Sequence, residues 1–192
     1  QGLKPGSIKA LFVSHEHSDH IKGVAVFSRK YEVPVYITEA TRRSARIKLD
    51  KKLSFTFSDN TPVKVGALTV VPFTKKHDAV DPYSFTVSFN QVNIGVFTDI
   101  GTPCKQLISH FKSCHAVFLE TNYDEEMLEN GSYPLVLKKR ISGGKGHLSN
   151  KQALEVFLKH RSKHLSHLFL SHLSKNNNDP QLVKQLFQPH AS

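Results

Sequence analysis

His15, His17, Asp19 and His20 fall within six consecutive positions, spaced H-x-H-x-D-H, directly after an apolar run at 8–13. The run is broken only by Lys9 and reads as a buried strand. A strand that ends in a burst of imidazoles and a carboxylate restricts the chain to folds that gather side chains at strand ends. Imidazole and carboxylate together suit Zn²⁺, Mn²⁺ or Fe²⁺. The spacing offers ligands in two groups, and two groups can serve two metals. A solvated His-rich loop is the duller reading, and both the order of the residues and the strand before them argue against it.

Strands and helices alternate along the rest of the chain, which indicates an α/β fold. Strands are expected at 33–38, 53–57, 68–73, 83–89, 92–97, 116–120 and 164–170. Asn90-Gln91 marks a hairpin between the fourth and fifth of these. Helices are expected at 23–31, 39–49, 104–111, 125–128, 135–141 and 180–187, the second carrying Arg42, Arg43, Arg46 and Lys48. Ser149 and Gln152 form a capping box that opens a further helix at 151–161. The asparagines at 176–178 read as a polar loop, and His110, His115, His160, His164, His167 and His190 as surface or helix-flank residues.

The chain has 192 residues, enough for one sizeable domain. Its formal net charge of +10 favours a polyanionic partner, with nucleic acid first. Cys104 and Cys114 are the only cysteines and form no C-x-x-C, so neither a disulfide framework nor a thiolate zinc site is indicated. No apolar run approaches membrane-spanning length and no signal peptide is visible, which makes the cytoplasm the default.

Three further histidines and acids stand where strands are expected to end: His77 after 68–73, Asp99 after 92–97 and His172 after 164–170. Together with H-x-H-x-D-H, this pattern resembles the metallo-β-lactamase fold superfamily of binuclear hydrolases. Phe118-Leu119-Glu120-Thr121 and the glycine-rich Gly143 to Gly146 stretch leading into His147-Leu148-Ser149-Asn150 resemble paired segments of its nuclease members. The stretch from Tyr123 to Pro134, with Leu170-Ser171-His172-Leu173, is similar to the YycJ/WalJ-type nuclease branch, related to tRNA-maturase-like metallohydrolases. The resemblance runs over essentially the whole chain.

It implies an αββα sandwich over 1–192 and two divalent ions, Zn or Mn with Fe possible. His15, His17 and His77 would hold one ion and Asp19, His20 and His172 the other, with Asp99 bridging. The branch is associated with 5′→3′ exonuclease action on DNA by a metal-bridged hydroxide. Asp19 would also orient that hydroxide, and Glu120 and His147 would pair beside the leaving group. Family members begin with strands ahead of the first motif that residues 1–7 do not supply, so an N-terminally short domain is expected.

Lys145, Ser149 and Asn150 are the expected nucleic-acid contacts. The glycines around Lys145 permit close backbone approach, and a helix opening at Ser149 presents free N–H groups to a phosphate. DNA is favoured over RNA as partner, while oligomeric state is left open. Singly, each ligand has a duller role: His77 as a surface histidine, Asp99 in an Asx-turn, His172 packed beneath its strand. A small-molecule hydrolase of thioester or lactam type would use the same seven ligands. It would need neither the Glu120–His147 pair nor the basic excess.

Overall fold

The computed structural model describes Gly2 and residues 4–190. They divide into two compact units, one of residues up to 74 with 79–83, the other of 75–78 with 84 onward.

The first unit holds three short parallel strands, β1 (Leu11–Phe12), β2 (Val35–Tyr36) and β3 (Ser54–Phe55). Parallel neighbours need crossover connections. Helices α1 (Ser18–Ile21) and α2 (Val24–Tyr31) supply the first, and α3 (Glu39–Ser44) lies in the second. Val13, Val35 and Ile37 are buried at the centre, with Leu11, Ile21, Val24, Ile47 and Leu49 packed against them. Phe12, Tyr36 and Phe55 stack across the three strands at centroid distances of 4.6 and 5.4 Å. Such a cross-strand aromatic ladder fixes the register.

The basic helix expected at 39–49 is shorter. Thr38 caps its start, its hydroxyl accepting from the Thr41 N–H, and Arg46 takes a left-handed φ of 50° just beyond its end. A non-glycine residue in that region breaks the i→i−4 ladder. A hairpin of β4 (Val63–Val65) and β5 (Leu68–Thr74) completes the unit, turning at Gly66 with φ of 60°. β4 was not expected: three residues are too few to show an alternation.

In the second unit β6 (Tyr83–Phe89) and β7 (Val92–Phe97) pair antiparallel around Asn90 and Gln91. Both turn residues have positive φ, 44° and 66°, the twist that a two-residue hairpin demands. β8 (Ala116–Glu120) runs parallel to β7, and β9 (His167–Ser171) parallel to β8. Helix α4 (Lys105–Phe111) makes the first crossover; α5 (Glu125–Asn130), α6 (Leu135–Ser142) and α7 (Asn150–His160) make the second. Helix α8 (Pro180–Phe187) follows β9. Phe97, Leu107, Phe111, Val117, Leu119 and Leu148 are fully buried and form the core of this unit.

No helix among the described residues is long and apolar enough to cross a membrane.

Candidate metal centre

Strand ends deliver the candidate ligands. In the first unit the chain leaves β1 and His15 follows three residues later, with no exposed surface. Its Nε2 lies 3.0 Å from His17 Nδ1, and its ring lies 4.1 Å from that of His20. The Ser14 hydroxyl reaches Nδ1 of His15 at 2.9 Å and Nδ1 of His20 at 3.3 Å. Asp19, in the first turn of α1, approaches His20 Nε2 at 3.4 Å and is itself exposed. Glu16, between the ligands, accepts from the Val80 N–H at 2.9 Å and pins the loop. The motif thus folds into one tight cluster of three imidazoles and a carboxylate.

In the second unit, β7, β8 and β9 are parallel, so their C-terminal ends share one edge. Asp99 stands two residues beyond β7, Glu120 ends β8 and His172 follows β9. Asp99 and His172 are both non-glycine residues at left-handed φ, 55° and 59°. Such strain, about 1–3 kcal/mol each, clusters at functional sites. The carboxylate and imidazole atoms of Asp99, Glu120, His147 and His172 lie within 4.8 Å of one another.

Glu120 organises this cluster. It has no exposed surface. One carboxylate oxygen accepts from His147 Nδ1 and His172 Nδ1, both at 2.8 Å, and from the Asp99 N–H at 3.1 Å. The other accepts from the Ile100 N–H at 2.7 Å and the Leu148 N–H at 3.1 Å. Burial pushes its carboxyl up, but the hydrogen bonds from His147 and His172 outweigh burial and hold it below the usual range. Its charge obliges both imidazoles to carry the proton on Nδ1. Nε2 of His172 is thereby left as a lone-pair donor 3.4 Å from Asp99.

His77 is set the same way. Its Nδ1 donates to the Gly146 carbonyl at 3.0 Å, and its Nε2 lies 3.9 Å from Asp99. Burial, together with the charge of Lys75, lowers its pKa and keeps it neutral. Neutral imidazoles oriented through the second nitrogen, beside a buried carboxylate, are the donor set that a divalent ion requires. The residues present therefore fit a metal. The acceptor for His77 depends on Gly146, where a Cβ would collide with the Ile141 and Arg140 carbonyl oxygens. Gly101 likewise passes so close to the Lys145 backbone that no side chain fits.

Lys75 is a buried cation that sequence reasoning did not single out. Its ammonium donates to the Thr98 carbonyl at 2.9 Å and stands 3.8 Å from Asp99. Burial brings its pKa down to about 8 against the pull of Asp99 and Glu120. Asn122 was also missed; its amide donates to the His172 carbonyl at 2.8 Å. Neither has a sequence signature, since lysine and asparagine are ordinary loop residues.

Two expected nucleic-acid contacts are placed otherwise. Ser149 has no exposed surface; its hydroxyl caps α7 by accepting from the Gln152 N–H and donates to Glu125. Asn150 is 3% exposed, and its amide is spent on Asn178 at 2.9 Å. These two are internal anchors, and Lys145 alone remains exposed. The asparagine loop is likewise structural. Asn178 donates to the Thr121 and Asn122 carbonyls at 2.8 and 3.1 Å, fixing the segment after Glu120.

Fold and ligand chemistry together define a metal-dependent hydrolase of metallo-β-lactamase fold, a mixed α/β protein with helices flanking its sheets. Residues 2–172 match the model of the β-lactamase superfamily domain, and the chain belongs to that family. It is 34% identical over 188 residues to exodeoxyribonuclease YycJ of Bacillus anthracis, covering 95% of this chain and 70% of that protein. To exodeoxyribonuclease WalJ of Streptococcus pneumoniae serotype 2 it is 32% identical over 185 residues, 94% of this chain and 69% of the relative. In structure it is similar to the metallo-β-lactamase fold protein YhfI of Bacillus subtilis, with a TM-score of 0.72 at 16% identity, covering 97% and 74% of the two chains.

Proposed function

We propose that this chain is a binuclear phosphodiesterase that degrades DNA from the 5′ end. The observation that carries the reading is the buried Glu120 carboxylate shared by His147 and His172. A thioester or lactam hydrolase has no use for a carboxylate–imidazole pair beside the ligands. A nuclease has one, because its leaving oxygen needs a proton. The relatives named as exodeoxyribonucleases support DNA as the substrate.

In this reading the two units act as one hydrolase domain. His15, His17 and His77 would hold one ion and Asp19, His20 and His172 a second, with the Asp99 carboxylate available to both. When bound, two divalent ions would offset the phosphodiester charge and acidify the attacking water. The Asp19 carboxylate would accept a hydrogen bond from that water and orient it. His147, as imidazolium, gives its Nε2 proton to the leaving oxygen while Nδ1–H stays on Glu120. Glu120 is a positioning residue that stabilises the cation and fixes the ring. Lys75 offsets the negative charge of Asp99 and Glu120.

Lys145 contacts the phosphate backbone. Lys145→Ala should weaken binding to all sequences alike and reduce the slope of log affinity against log salt by about 1. The cytoplasm is the compartment we propose, in keeping with a DNA substrate.

Metal analysis of the purified protein after Zn²⁺ or Mn²⁺ reconstitution tests the ligand assignment. Two ions per chain are expected, falling to roughly one in His17→Ala and in His172→Ala. Full occupancy in either variant would remove that residue from the ligand set.

A further inference from the structure

Within the second unit, Asp99 sits where acceptors converge. His77 and His172 each keep the proton on Nδ1, for the Gly146 carbonyl and for Glu120. The Nε2 atoms that approach Asp99, at 3.9 and 3.4 Å, therefore bring lone pairs. A buried carboxylate facing two lone pairs is costly unless a cation stands beside it. Lys75 is such a cation. Its side chain is 1% exposed, and its ammonium stands 3.8 Å from Asp99 while donating to the Thr98 carbonyl at 2.9 Å. The backbone holds it there. The Lys76 carbonyl accepts from the Gly101 N–H at 2.7 Å, which ties the segment after β5 to the turn that carries Asp99.

We propose that Lys75 is a tethered stand-in for metal charge: it keeps the empty site folded and gives up that role when a divalent ion neutralises Asp99. The inference rests on the reading of Asp99 as a metal ligand, and not on the nuclease activity. Its consequence is a trade. An ammonium fixed beside a shared ligand repels a divalent ion, so Lys75 lowers metal affinity while it protects the metal-free fold. A lysine that served only to pack the interior would do neither. One that served only to hold the Thr98 carbonyl would be indifferent to the charge on Asp99.

The test follows thermal unfolding of the whole chain at neutral pH, in chelator and in saturating Zn²⁺. The parent is compared with Lys75→Met and with the double variant Lys75→Met, Asp99→Asn. Methionine keeps the length and burial of the side chain and removes its charge. In chelator, Lys75→Met should unfold ~6 °C or more below the parent, because removing one partner of a buried pair leaves the other uncompensated. Adding Asp99→Asn should raise the midpoint again, since the charge that lost its partner is then gone. If Lys75→Met cannot fold without metal, the double variant must still fold. In Zn²⁺ the gap between parent and Lys75→Met should shrink to less than about half, as the ion takes over the missing charge. A double variant no more stable than Lys75→Met would overturn the proposal. So would a gap of the same size with and without Zn²⁺, in a parent that Zn²⁺ stabilises. Zn²⁺ that leaves the parent's midpoint unmoved would instead overturn the metal reading, and this inference with it.

Discussion

Replacing Glu120 by glutamine should unsettle the second unit while changing the side chain by one atom. The carboxylate accepts from five donors, and an amide can accept on one side only. If the new NH₂ faces Ile100 and Leu148, two buried backbone N–H groups lose their acceptor. At about 1–3 kcal/mol for each orphaned donor, the loss is ~2–6 kcal/mol. If it faces the other way, the Asp99 N–H is orphaned, and His147 and His172 must turn Nδ1 into an acceptor. The proton then sits on Nε2, and His172 loses its lone pair for a metal. Either outcome costs, so urea denaturation of the chelated Glu120→Gln protein should show at least ~2 kcal/mol lost. Zn²⁺ affinity should fall by roughly 10–100-fold, as when other outer-shell partners are removed. A variant within ~0.5 kcal/mol of the parent and with unchanged Zn²⁺ affinity would refute the role assigned to this carboxylate.

Other perturbations separate the remaining roles. His147→Ala should slow hydrolysis by ~10²–10⁴-fold while metal content is retained; loss of metal would make His147 a ligand instead. Burial pushes the Cys114 thiol up to about 12, so iodoacetamide at mildly alkaline pH should modify the partly exposed Cys104 and spare Cys114 until urea unfolds the chain. Modification of Cys114 in the native protein would contradict its burial. Hydrogen bonds from Arg42 and Arg43 hold the Glu39 carboxyl down at about 2. Because the folded pKa is depressed, what this cluster adds to α3 is complete above about 4.5 and lost as pH falls toward 2. Carbon-detected NMR titration of Glu39 in the folded protein should find its midpoint below 3.5, and a midpoint near 4.5 would rule the cluster out in solution.

The sequence made the strand-end sites legible because each is a short apolar run followed at once by a polar, chemically distinctive residue. Asp99, Glu120 and His172 are of this kind, and β7, β8 and β9 fall close to their expected positions. The Asn90-Gln91 hairpin and the Ser149–Gln152 capping box were readable because their chemistry is local. Tertiary chemistry stayed hidden. Nothing near Glu120 says that its carboxylate serves His172 as well as His147, since the two lie 27 and 52 residues away. Ser149 and Asn150 looked available because a helix start is usually wet; their burial comes from Glu125 and Asn178, which no local pattern connects to them. Lys75 was hidden for the converse reason, as charge in a sequence implies exposure until a buried carboxylate cluster forms around it.

Degradation of end-labelled DNA tests the central claim most directly. The chain is stripped with chelator, then supplied with Mn²⁺ or Zn²⁺ and single- or double-stranded substrate labelled at either terminus. No turnover is expected without metal. With metal restored, a 5′ label should be released at once as a short product, and a 3′ label should persist until late in digestion. Intact DNA under every metal condition, alongside turnover of a thioester or lactam, would contradict it.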